Sequence, residues 1–97
     1  MADDILEILR HHKDELSEKY GVREIGIFGS YVRGEQTEAS DIDILVEFEP
    51  GARVSLLDFV NLEGYLSALL GVRVDLVERS ALKPRIGRRV LAEVIYV

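Results

Sequence analysis

Short apolar runs and longer stretches of helical period alternate along the chain, and the two spacings divide it into elements. Residues 3–20 place Ile5, Leu9, Leu16 and Tyr20 at intervals that return to one side of a helix, with acids and bases between them. Gly21 follows as a helix stop. Residues 22–28 are rich in β-formers and run into Gly29-Ser30, which predicts a strand. A short helical turn is expected over 30–34, then a polar loop from Gly34 to Ser40. Residues 41–48 alternate: Ile42, Ile44, Val46 and Phe48 share one face of a strand, and Asp41, Asp43, Leu45 and Glu47 share the other. Pro50-Gly51 marks a turn, and Ser55 is placed to cap a helix whose Phe59, Leu62, Leu66, Leu69 and Leu70 fall on one side before Gly71. A third strand is expected over 72–77, with Val72, Val74 and Leu76 facing one way and Asp75 the other. Pro84 suits the first turn of a last helix, and Ile95-Tyr96-Val97 reads as a short extended tail. This order predicts an α+β (α/β) fold with residues 1–97 as one domain, a small mixed sheet flanked by helices.

Composition narrows the chemistry. There is no cysteine, so disulfides and thiol catalysis are excluded, and a metal must be held by oxygen ligands or by the two histidines. His11 and His12 are adjacent, and neighbours in a helix do not share a face, so they make a poor metal pair. No apolar stretch is long enough to cross a membrane and the first twenty residues are charged throughout, which predicts a cytoplasmic protein. A net charge of −6 argues against direct nucleic-acid binding. The charge is uneven, however. Residues 83–97 carry +3, with Lys83, Arg85, Arg88 and Arg89 close together, and the first 82 residues carry −9. That basic stretch is either a solvated helix face or a docking or phosphate-facing surface.

The acids carry the sharper signal. Asp41 and Asp43 lie two apart on a strand, so both point to one face with Cα atoms roughly 6.5–7 Å apart. Carboxylates at that spacing repel unless a positive charge lies between them, and hard oxygen donors suit Mg²⁺ or Mn²⁺. Taken alone, Asp-x-Asp is more often the polar face of a half-exposed strand. Asp75 adds a third carboxylate within an apolar strand, where it is costly unless paired or bound to metal. It could instead sit on an edge strand or pair with Arg73 or Arg79. If the second and third strands are neighbours, the three carboxylates converge, and two ions could clamp an in-line phosphoryl displacement. Gly29-Ser30, where a strand hands over to a helical turn, offers backbone N–H groups and a hydroxyl as a phosphate cradle.

Gly29-Ser30-Tyr31-Val32-Arg33-Gly34, the five-residue spacer Glu35–Ala39, then Ser40-Asp41-Ile42-Asp43 followed by hydrophobic residues resembles the signature of the DNA polymerase β-type nucleotidyltransferase superfamily. It is most similar to the minimal nucleotidyltransferases, the MNT proteins of MNT/HEPN toxin–antitoxin modules. The resemblance extends to the leading helix, to Val74-Asp75-Leu76-Val77 and to the terminal Ala92-Glu93-Val94-Ile95-Tyr96-Val97. It implies that Asp41 and Asp43 bind two Mg²⁺ ions and the triphosphate. Asp75 would hold the ion where the attacking hydroxyl is activated, and Gly29 and Ser30 would contact the triphosphate. Arg33 would neutralise phosphate charge or stabilise its loop, and Ser40 would cap or position Asp41. The implied reaction transfers AMP from ATP to a hydroxyl, often a tyrosine, of a HEPN toxin partner, which silences it. The chain has no separate acceptor domain, so an assembly with that partner is expected. Two other readings stand beside this one: a binding module that blocks its partner by contact, and a nucleotidyltransferase subunit acting on a small molecule. Tyr65 and Tyr96 are expected to pack in the core, and Arg53 to be a solvated loop charge.

Overall fold

A computed structural model of the chain describes residues 2–97. The leading helical period is realised as two helices, α1 (Ala2–His11) and α2 (Lys13–Tyr20), rather than one. The break falls at His12, whose N–H bonds back only three residues to the Leu9 carbonyl, while its ring Nδ1 lies 2.9 Å from the Ile8 carbonyl. Leu9 and Leu16, seven residues apart, both end fully buried in the same core.

The strands are β1 (Val22–Phe28), β2 (Ile42–Phe48), β3 (Val74–Glu78) and β4 (Ile95–Tyr96), in spatial order β3-β2-β1-β4. β1 is antiparallel to both β2 and β4, and β2 is parallel to β3, so the sheet is mixed as expected. The parallel pair needs a crossover, and α4 (Leu56–Leu70) supplies it. Ser55 caps α4 reciprocally: its hydroxyl accepts the Asp58 N–H and the Asp58 carboxylate accepts the Ser55 N–H. The short α3 (Ser30–Arg33) follows β1, and α5 (Pro84–Glu93) leads into β4.

Strand boundaries differ from the sequence reading: β2 begins at Ile42 rather than Asp41. β3 begins at Val74 rather than Val72: the Val74 N–H is given to the Ser67 hydroxyl as the chain leaves α4, and the Arg73 carbonyl accepts the Ile42 N–H just ahead of the ladder. The tail is not merely extended: β4 joins the sheet as an edge, with Gly26 opposite Tyr96 and Ile27 opposite Ile95. Tyr96 is accordingly 40% exposed on that edge rather than in the core.

One face of the sheet is sealed. Ile25, Ile27, Ile42, Ile44 and Val46 pack with Leu9, Leu16, Leu62 and Leu66, all essentially inaccessible. Each such side chain contributes about 1.5–3 kcal/mol relative to exposure. The helix periods and the strand alternation thus meet on one side, which leaves Asp43 and Glu47 on the other. Tyr65 binds this layer from its rim, donating its hydroxyl to Glu15, and its own ionisation is pushed up to about 12 by that bond. No helix among the described residues is long and apolar enough to cross a membrane.

Candidate active site

The acids gather where β1 ends and β2 begins. Register places Phe28 opposite Asp43, and Asp43 beside Asp75 on the parallel neighbour. Asp41 lies just ahead of the β2 ladder, part-exposed, on the wall of an open cleft of about 940 Å³ with Tyr31, Ser40 and Arg73. β3 is an edge strand and Asp75 is exposed on it. Neither arginine weighed as its partner pairs with it: Arg79 binds Glu47 at 2.9 Å, and Arg73 forms no ion pair among the described residues.

Gly29 links β1 to α3 at φ 79° and ψ −151°, a backbone conformation that only glycine enters readily. A side chain there would also overlap the Asp43 carboxylate. The Gly29 carbonyl starts α3 by accepting from Val32 and Arg33, which holds Ser30 in the first turn. Ser40 acts within its own loop, its hydroxyl accepting the Thr37 N–H at 2.8 Å and closing the turn that delivers Asp41.

Asp43 is the perturbed group. Burial, then the facing carboxylates of Asp75 and Asp41, raise its carboxyl above the ordinary range; Arg33 opposes this and Glu93 adds to it. A hard divalent cation among these oxygen donors would relieve that crowding, so the donor chemistry fits Mg²⁺ or Mn²⁺. As the side chains stand, no three acidic or histidine groups among the described residues are positioned around a single ion. Neighbouring strands therefore bring the acids to one region without making them converge on a point.

Arg33 is engaged within the fold. It bonds Glu35 at 2.8 Å and both oxygens of Glu93 at 3.0 and 3.1 Å, and these partners raise its ionisation further, Glu35 first. Of the two roles left open for it, the loop-stabilising one is occupied in this structure. Glu93, on the last turn of α5, also accepts the Gly29 N–H at 2.6 Å. Sequence reasoning did not single out Glu93 as a site residue. Its sequence signals were its place as the one acid in a basic helix and in the terminal Ala92–Val97 segment of the family resemblance, 64 residues from its partner. Of the basic stretch, Arg89 reaches the wall of a cavity shared with Gly29 and Asp43. Arg53 follows the far end of β2 in an exposed loop, away from the acids.

Comparison with known proteins gives the chain its family. The family model described as nucleotidyltransferase domain matches residues 9–97. Protein adenylyltransferase MntA of Thermococcus cleftensis is 61% identical over 95 residues, covering 98% of this chain and 94% of that protein. A solved structure provisionally assigned as a minimal nucleotidyltransferase superposes with a TM-score of 0.73 at 44% identity, covering 93% of each chain. A toxin–antitoxin crystallised with AMP-PNP superposes with a TM-score of 0.70 at 25% identity, covering 98% of this chain and 70% of that one. The chain belongs to the nucleotidyltransferase-domain family, among the minimal nucleotidyltransferases related to protein adenylyltransferase MntA, and is a nucleotidyltransferase.

Proposed function

We propose that this nucleotidyltransferase, residues 1–97 forming one cytoplasmic domain, is an antitoxin that transfers AMP from ATP to a tyrosine hydroxyl of a HEPN toxin. The observation that carries the reading is Asp43 in register with Asp75 while abutting Gly29, which joins a carboxylate pair to a backbone anion cradle. The hydroxyl oxygen attacks the α-phosphorus, the new P–O bond forms, the α–β bridge breaks, and pyrophosphate leaves with the electron pair. Asp75, exposed at the sheet edge, meets the incoming hydroxyl and takes up its proton. Gly29 and Ser30 receive the phosphates, Arg33 keeps their loop in shape, and Ser40 sets Asp41. Asp41, Asp43 and Asp75 would hold two Mg²⁺ ions, which neutralise phosphate charge and make the hydroxyl more acidic. AMP-PNP in a related toxin–antitoxin supports the nucleotide, and the 61% identical adenylyltransferase supports a protein acceptor.

The test is to incubate the chain with ATP, Mg²⁺ and its HEPN partner, then to weigh the partner by mass spectrometry. AMP adducts on tyrosine are expected, and they should vanish with chelator or with Asp41→Asn. A partner that is inhibited yet unmodified would sink the enzymatic reading in favour of inhibition by contact.

A further inference from the structure

The side of α5 turned toward the carboxylates carries one charge that the fold uses and one that it leaves over. Ile86, Arg89, Val90 and Glu93 recur at the spacing of one helix face and line a cavity of about 230 Å³ with Gly29 and Asp43. Glu93 is committed to the Gly29 N–H and to Arg33. Arg89 is exposed and forms no ion pair among the described residues.

The Glu93 carboxylate shows what this end of the cavity accepts: an anionic oxygen on a backbone N–H, with a guanidinium alongside. A phosphate oxygen offers the same chemistry. Arg33 already balances Glu35 and Glu93, so its charge is largely offset within the fold. A triphosphate brought against Asp41, Asp43 and Asp75 needs positive charge that is still uncommitted. Arg89 stands at the cavity wall in that condition, and its planar fork suits phosphate better than a point charge would.

We propose that Arg89 binds the β- and γ-phosphates of the nucleoside triphosphate, and that Glu93 gives up the Gly29 N–H to a phosphate oxygen when it does. The inference rests on the nucleotidyltransferase reading and assigns the leaving-group side of that site. As the α–β bridge breaks, the charge gathering on pyrophosphate is met by Arg89.

The test compares wild type, Arg89→Ala and Arg88→Ala by calorimetric titration with ATP and with AMP, each with Mg²⁺. Arg88 is exposed on the same helix but does not line the cavity, so its loss removes the same charge elsewhere. Arg89→Ala is expected to weaken ATP about tenfold or more while leaving AMP within about twofold. Arg88→Ala should leave ATP within about twofold of wild type. Unchanged ATP affinity in Arg89→Ala, equal loss for ATP and AMP, or a matching loss in Arg88→Ala overturns the assignment and leaves the nucleotidyltransferase reading standing. A wild-type protein that binds no ATP overturns both.

Discussion

Gly29 stands so close to Asp43 that a Cβ on the glycine would occupy the space of the Asp43 carboxylate. The contact couples the proposed phosphate cradle to the acid pair, and it makes both depend on one residue without a side chain. Gly29→Ala is expected to cost about 1–3 kcal/mol through its φ of 79° and to push Asp43 out of register with Asp75. Transfer should fall by roughly 100-fold or more, since a displaced catalytic group is costly. Urea denaturation and the adenylylation assay read the two effects separately, and wild-type turnover would show that Asp43 is not set by this contact.

Asp43→Asn should stabilise the metal-free protein while abolishing transfer. The Asp43 carboxyl titrates higher in the fold than in the unfolded chain, through burial, Asp75 and Asp41. Its contribution to stability is therefore fully present below the unfolded value and is lost as pH rises through the folded one. At neutral pH the ionised group costs stability, which asparagine removes. A higher Tm than wild type is expected at pH 7, the gain falling away as pH drops through the folded value and absent below the unfolded one of about 4. A lower Tm than wild type at pH 7, measured by calorimetry with chelator, would contradict the crowding.

Asp75 separates function from folding more cleanly, because it is exposed on an edge strand and pairs with no cation among the described residues. Asp75→Asn should leave stability within about 0.5 kcal/mol. Transfer should drop roughly 100-fold or more, and added Mg²⁺ should restore little of it. Near-normal rates at saturating Mg²⁺ would remove Asp75 from the catalytic set.

Ser55→Ala tests the scaffold without touching the site, since the cap lies beyond the end of β2 remote from Asp43. Losing the capping box should cost about 1 kcal/mol. For a chain of this size that lowers Tm by about 4–8 °C, with kcat unchanged well below the transition. A kcat that falls together with Tm would show that α4 controls the acids through β3.

The local levels of this protein were legible in its residues. Strand alternation puts Ile42, Ile44 and Val46 on one face and Asp43 on the other, and the sealed core bears this out. Ser55 with Asp58 announces the start of α4, and the Gly29-to-Asp43 spacing carries the family resemblance. Tertiary structure alone decided that β3 lies parallel beside β2, aligning Asp75 with Asp43, and that the tail forms a fourth strand against β1. It also decided that Arg33 is held by Glu35 and Glu93, that Glu93 reaches Gly29, and that Arg89 is left uncommitted at the cavity. The division has a physical cause. Periodicity reports which side of its own element a residue faces, because that depends on neighbours a few positions away. A contact across 32 or 64 residues, such as Asp43 with Asp75 or Gly29 with Glu93, depends on how whole elements pack and cross, and no spacing along the chain encodes it.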